Sequence, residues 1–417
     1  MSSFRFIHAA DIHLDSPLSG LSRYEGLPAE EVRGATRAAF DNLVDAALRE
    51  SVDFVVLAGD LFDGEWKDMG TGLYFARAMA RLAHAGVPVY LLKGNHDAES
   101  AVTKTLPLPE TVHVFASRKA QTFSLPDMGV ALHGRSFPTV HVHEDLTQDY
   151  PAPLPGMFNI GVLHTSVGGY AQHASYAPCT VQGLAAKGYD YWALGHVHDH
   201  QVLSQDPWIV FPGNLQGRNA RETGAKGAVL VEVSDGQVSS CTHLPLDVLR
   251  WLRVEVDCGG TESMDEVRGR VRSTLGQAIE EMADTRPAVA RVTLTGETAQ
   301  TGALLSAGAA LRDEVRALAI QVSADLWIEK VLVETAAIPA PPNPEGLHDA
   351  IAILEEALKS PELAQELAAD LKPFLDAVPA DAVEPGSLQA LVRAGEWERA
   401  MDLAASALRE RLTVSAG

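Results

Sequence analysis

The sequence predicts an α/β (α+β) protein. Three observations lead there: strands alternate with amphipathic helices in the first hundred residues, strands shorten and turn residues multiply after about Phe115, and composition shifts after about Arg250. The first half opens with "FRFIHAA", a strand running into a loop rich in acids and imidazoles. In "TRAAFDNLVDAALRE", Phe40, Leu43, Val44 and Ala47 fall on one helical face. "VDFVVLAGD" is a near-continuous apolar run and reads as a strand buried on both faces. "LYFARAMARLAHAG" is a helix ending at Gly86, and "VPVYLLKGNHD" is the next buried strand. This βαβαβ order predicts parallel strands covered by helices. The shorter strands that follow predict a second, more antiparallel sheet closing the domain.

From about Trp251 the order is strand, helix, strand, helix, strand, enough for a small α+β domain. "AAIPAPPNPEG" reads as an extended, proline-stiffened linker, and the remainder is acidic and helical. The expected divisions are 1–248, 249–336, a linker at 337–346, and a helical region at 347–417. In that tail Ile351, Leu354, Leu358, Trp397, Met401 and Leu408 recur at helical spacing, for a small core or a partner helix.

Composition narrows the function. No apolar run approaches the ~20 residues of a membrane span, and no basic, then apolar leader opens the chain. Three widely spaced cysteines argue against both a disulfide framework and a thiolate zinc site and fit a reducing cytoplasm. With 33 basic and 55 acidic residues the formal charge is −22, which speaks against coating nucleic acid. It is compatible with a nuclease whose bound cations hold one phosphate.

Five loops, each after a predicted strand, carry acids, amides or imidazoles: Asp11 and His13; Asp60 and Asp63; Asn95, His96 and Asp97; His164; His196 and His198. Loops at strand carboxyl ends converge on one crevice. Asp11/His13 and His196/His198 are two apart, so in extended backbone each pair faces one side. The sulfur-free donor set suits Mn²⁺, Fe²⁺ or Zn²⁺ better than Mg²⁺. Seven ligands exceed one ion's needs and suit two, about 3.5–4 Å apart, sharing a carboxylate.

Asp-x-His, Gly-Asp-x-x-Asp, Gly-Asn-His-Asp, a lone His and Gly-His-x-His, in this order, resemble the calcineurin-like metallophosphoesterases over residues 1–233. That resemblance implies a two-sheet sandwich flanked by helices. It implies one ion on Asp11, His13, Asp60 and His198, and a second on Asp60, Asn95, His164 and His196. It also implies His96 facing the scissile phosphate, oriented by Asp63. Gly64 stands where phosphoprotein phosphatases carry Arg, and Leu61 where purple acid phosphatases carry Tyr. "HAADIHLDSP", "DYWALGHVH" and "PGNLQGRNARETGAKGAVLVEV" instead resemble the SbcD-type (YhaO-like) bacterial DNA repair exonucleases. This closer resemblance implies a small capping domain, DNA as substrate and an SbcC-like coiled-coil ATPase as partner; a homodimer is compatible with it. Asp63 departs from archaeal and eukaryotic relatives, which have His there, and Asp15 from the Gly common in SbcD-type chains.

The expectation is therefore a cytoplasmic, two-metal DNA exonuclease acting in repair, able also to nick single strands, with Mn²⁺ ahead of Fe²⁺, Zn²⁺ or Mg²⁺. The alternatives are a phosphoesterase for small nucleotides or phosphoproteins, and a non-catalytic ATPase-binding scaffold. Arg218 and Arg221, with Lys226, are the loop cations best placed for a nucleic-acid backbone. His8 reads as a packed strand histidine, His141 and His143 as surface, and His173 as part of an ordered loop. His200 stays unassigned, and Asp15 stays open between supporting the metals and facing substrate.

Overall fold

The computed structural model describes residues 3–16, 18, 29–63, 69–98, 108–168, 176–338, 347–358, 360, 366–367, 370 and 387–414. Most of the 337–346 linker, and His173, lie outside these residues. The chain divides into two compact units, Met1–Trp251 and Leu252–Gly417. Among the described residues no helix is long and apolar enough to cross a membrane.

In the first unit the elements run β1 (Phe4–Ala9), α1 (Ala29–Arg49), β2 (Phe54–Ala58), α2 (Met69–His84), β3 (Val89–Leu92) and β4 (Val112–Val114). Then come β5 (Gln121–Leu125), β6 (Val130–Gly134), β7 (Phe158–His164), α3 (Val181–Ala186), β8 (Tyr191–Gly195), β9 (Gln201–Gln205), β10 (Trp208–Phe211), β11 (Gly227–Ser234) and β12 (Gln237–Pro245). One sheet has the order β12-β11-β1-β2-β3-β4 and the other β5-β6-β7-β8-β10-β9.

Strand parity builds the layers. In β1, Phe4 and Phe6 point between the sheets, with Phe54, Val56, Tyr90, Ile160, Tyr191 and Val231. Phe6 stacks on Phe54 at 5.0 Å and meets Tyr191 edge-on at 5.3 Å. Burying each such ring contributes about 1.5–3 kcal/mol. The alternate residues Ile7 and Ala9 point outward, onto Phe40, Leu43, Val44 and Ala47 of α1 and Phe75 and Met79 of α2. On the far side Leu163, Trp192, Leu194 and Phe211 cover Leu184 of α3. The result is a helix–sheet–sheet–helix sandwich.

The second sheet corrects one expectation. β6, β7, β8 and β10 run parallel, and only the flanking β5 and β9 are antiparallel. Their short lengths and turn residues predict a more antiparallel sheet, but the connections β6–β7 and β7–β8 are crossovers long enough for parallel pairing.

β13 (Arg250–Asp257) spans the division, followed by α4 (Met264–Met282), β14 (Ala288–Thr295), β15 (Glu297–Thr298), α5 (Thr301–Val322), β16 (Leu326–Val333) and β17 (Ala336–Ala337). The sheet order β13-β14-β16, with β14 and β16 parallel, closes a core with one face of α4, where Val267, Val271 and Leu275 recur every fourth residue. Ser263 caps α4 by accepting from Glu266 N at 3.3 Å, and α5 kinks at Gly308 (φ 48°, ψ −116°). Helices Leu347–Leu358, Leu388–Arg393 and Trp397–Val414 follow.

Candidate metal centre

The five loops leave β1, β2, β3, β7 and β8, whose strands run parallel within each sheet, so their carboxyl ends converge. Strand parity is not what aims the side chains, because the backbone leaves extended conformation at the ligands. Asp11 (φ 50°), His13 (φ 44°), Asp60 (φ 52°) and His196 (φ 101°) are all left-handed. Each such residue costs about 1–3 kcal/mol and persists only where its surroundings impose it. Here Asp11 N donates to Gly59 O, and His13 N to Asp60 O, both at 3.0 Å. Two glycines make room. A Cβ on Gly94 would sit 2.2 Å from Asp60 Oδ1, and one on Gly195 would sit 2.0 Å from Ala58 O.

Two groups of donors result. In the first, Asp11, His13 and His198 bring ligand atoms within 4.8 Å of one another; Asp60, His164 and His196 do so in the second. Asp60 faces both: its Oδ2 lies 3.3 Å from His164 Nε2 and 4.0 Å from His13 Nε2, while Oδ1 accepts from His96 N at 3.0 Å. Asn95 Oδ1 reaches His164 Nε2 at 2.9 Å. A third group joins His13, Asp63 and His96.

Hydrogen bonds on the far ring nitrogens establish what these atoms want. His164 Nδ1 donates to Ala58 O at 2.9 Å, so Nε2 is the ring atom turned to Asn95 Oδ1 and Asp60 Oδ2, and a cation there would displace the proton that Asp60 holds on it. His198 Nδ1 donates to Glu222 Oε1 at 2.8 Å, so its Nε2 presents a lone pair toward His13 Nε2 at 3.3 Å and Asp11 Oδ1 at 3.8 Å. Asp11 Oδ1 and His13 Nδ1 are buried with no hydrogen-bond partner. Acceptors facing acceptors in a buried site fit divalent cations, and this donor set holds them without sulfur. Burial raises the Asp60 pKa and lowers that of His164, yet each charge outweighs it on the other: Asp60 is held low and His164 high.

At the mouth, His96 Nδ1 lies 3.2 Å from Asp63 Oδ1, and its ring meets His13 edge-on at 5.1 Å. The hydrogen bond to Asp63 raises the His96 pKa against burial. The neighbouring His13 and His96 imidazoles hold the Asp63 carboxyl far below its usual range.

All the nominated residues fall in this region except Arg221, which is exposed on the following loop. Arg218 is engaged: it lies 3.5 Å from Glu222 Oε1 and 3.8 Å from Asp63 Oδ2. Lys226 is not offered to solvent; it is buried, donating to His198 O at 2.9 Å and pairing with Asp199 at 2.7 Å. The Asp15 carboxylate is paired to Arg37 and Thr71 and not to any of the donor groups. It takes Arg37 at 2.6 and 2.5 Å and a hydroxyl from Thr71, tying the first loop to α1 and α2. His8 is packed, with Nδ1 on Tyr191 Oη and Nε2 on Leu194 O, both at 3.0 Å; burial pushes its pKa down to about 3. His141 and His143 are exposed, and His200 turns to Phe211 O and stacks on His243.

Sequence reasoning named Asp97 without giving it a role and missed Glu222 and Ser16. Asp97 is fully buried and accepts from Leu61, Phe62 and Gly94 amides at 3.0–3.1 Å, fastening the β2 and β3 loops together. Burial first, then the Asp60 charge, push its pKa up to about 7. Glu222 sits behind His198, with burial raising its pKa and the His198 and Arg218 bonds prevailing to lower it. Ser16 Oγ donates to Asp63 Oδ2 at 2.8 Å. Only Asp97 had a local signal, the final letter of Gly-Asn-His-Asp.

The chain is similar to several known proteins. Residues 4–200 match the model of the calcineurin-like phosphoesterases, and residues 251–336 that of the middle domain of metallophosphoesterase YhaO. The metallophosphoesterase YhaO of Bacillus subtilis is 36% identical over 281 residues, 66% of this chain and 69% of that protein. DNA double-strand break repair protein Mre11 of Haloferax volcanii is 28% identical over 269 residues, 64% of this chain and 58% of that one. Among solved structures, TT1561 of Thermus thermophilus (14% identity, TM-score 0.34) covers 58% of this chain and 99% of its own. A dimetal phosphatase from Danio rerio (14%, 0.35) covers 56% and 94%. With its five motifs gathered at converging strand ends and this degree of likeness to a named relative, the chain belongs to the calcineurin-like metallophosphoesterases, a family of phosphoester hydrolases.

Proposed function

We propose that this phosphoester hydrolase acts on DNA, as a two-metal exonuclease that also nicks single strands, in repair and alongside an SbcC-like coiled-coil ATPase. The observation that carries the reading is the pair of acceptor groups sharing Asp60, with His96 beside them. Asp11, His13, Asp60 and His198 would hold one ion; Asp60, Asn95, His164 and His196 the other. Mn²⁺ is the metal the nitrogen-rich donor set favours over Mg²⁺. When bound, the ions supply a nucleophilic hydroxide at neutral pH and neutralise charge on the phosphate oxygens.

The chain's own residues do the rest. Asp63 accepts a hydrogen bond from His96 Nδ1–H, which fixes the ring and turns Nε2 outward. His96 is 40% exposed on its side chain, so substrate can reach it. Its raised pKa keeps a proton available for the departing oxygen, while the low pKa of Asp63 keeps that proton on the imidazole. Asp97 holds the loops that carry Asp60 and His96 in one register. Arg221 is the exposed cation on hand for a backbone phosphate.

DNA is favoured as substrate by the likeness to a relative named for DNA double-strand break repair. The formal charge of −22 favours a second reading, a small nucleotide or phosphoprotein substrate. A substrate panel with Mn²⁺ separates them: end-labelled DNA, cyclic nucleotides and phosphopeptides. The proposal expects mononucleotide release from DNA. Turnover of the small substrates with DNA left whole would replace it by the second reading.

A further inference from the structure

The loop of residues 216–227 reads in sequence as a cationic strip for nucleic acid, and the structure gives its carboxylate a different task. Glu222 Oε1 meets His198 Nδ1 at 2.8 Å, while Oε2 accepts from Asn214 Nδ2 at 2.9 Å and from Arg218 N at 2.7 Å. Its side chain is 11% exposed. Donors on both oxygens hold the carboxylate in one orientation. The Arg218 guanidinium lies beside Glu222 Oε1 at 3.5 Å, Asp63 Oδ2 at 3.8 Å and Ser16 Oγ at 3.4 Å. One arginine thus stands between the carboxylate behind His198 and the carboxylate behind His96.

We infer that Glu222 is a positioning residue for His198: it fixes the imidazole with its proton on Nδ1 and aims the bare Nε2 at the group formed by Asp11 and His13, with Asn214 and Arg218 holding Glu222 in place. The inference rests on the two-ion reading above and deepens it. A carboxylate on the far nitrogen of a ligating imidazole sets tautomer and orientation and raises basicity, and its loss lowers metal affinity about 10–100-fold. The effect is specific to one ion, because His164 of the second group is turned by the Ala58 carbonyl instead.

Mn²⁺ titration of the metal-stripped full chain, followed by calorimetry, tests this in the parent, Glu222→Gln and Glu222→Asp. The parent is expected to take two ions. Glu222→Gln is expected to weaken one of them about 10–100-fold and leave the other within about threefold. Glu222→Asp should recover part of the loss, and thermal unfolding of the metal-free forms should coincide. Two ions bound equally tightly by parent and Glu222→Gln would overturn the inference alone. Equal weakening of both ions together with a lowered unfolding temperature would overturn it too, as a merely structural role. A parent that takes up no Mn²⁺ would overturn the two-ion reading and the inference with it.

Discussion

The strand ends of the first unit and the sheet of the second handle buried charge in opposite ways. In the second unit Glu329, 8% exposed on β16, receives both arms of Arg291 from β14 at 2.8 and 2.7 Å. Its left-handed non-glycine residue among those described is Ala283, which closes the end of a helix. In the first unit, four of the seven nominated metal ligands are left-handed, and Asp11 Oδ1 and His13 Nδ1 are buried with no hydrogen bond. The Glu329 charge is satisfied from within and serves stability. The Asp11 Oδ1 atom is left for something the chain does not itself supply.

That contrast can be broken at several points. The largest effect is expected at His96: His96→Ala should lower phosphodiester hydrolysis by about 10²–10⁴-fold, while Mn²⁺ content by elemental analysis and thermal unfolding stay at parent values. Undiminished turnover would remove His96 from the chemistry. His8 lies in the same unit, yet it is neutral and both its ring nitrogens are satisfied within the chain. Its folded pKa of about 3 lies below the ordinary 6.5, so the unfolded chain binds the extra proton between those values. Stability therefore falls as pH drops from about 6.5 toward 3, and His8→Asn should flatten urea-derived stability by about 1.4 kcal/mol per pH unit over pH 6 to 4. An unchanged slope would mean that His8 protonates without unfolding.

Smaller effects sharpen the picture. Arg291→Ala strips a buried carboxylate of its partner and should cost about 1–3 kcal/mol in chemical denaturation of the second unit, with hydrolysis by the first unit unaffected. Smallest is Asp15→Ala. Asp15 sits in the site's first loop but is paired outward to Arg37, so its loss should cost about 0.2–1 kcal/mol, diminishing in high salt. If Asp15→Ala instead abolished metal binding, the division between satisfied and waiting charge would not follow hydrogen bonding.

Much of this could be read without coordinates, and the residues show why. The alternation in β1 put Phe4 and Phe6 on one face and Ile7 on the other, and the i, i+3, i+4 pattern placed α1, because burial imposes periodicity on local sequence. The candidate ligands were legible for a different reason: a metal needs rare donor types, so they recur in short motifs at strand ends. The parallel pairing of β6, β7, β8 and β10 was not legible, since strand direction depends on the path of a crossover rather than on the strand's own residues.

By itself the sequence determined which segments are buried and which side chains could bind a metal, because both are properties of residue type and spacing. Only the tertiary structure decided where the remaining charges go. Asp15 turned from the site to Arg37, Lys226 went inward to the His198 carbonyl, and Glu222 arrived behind His198 from 24 residues away. A carboxylate's partner is set by distances of about 3 Å between separate loops. No local pattern carries that information.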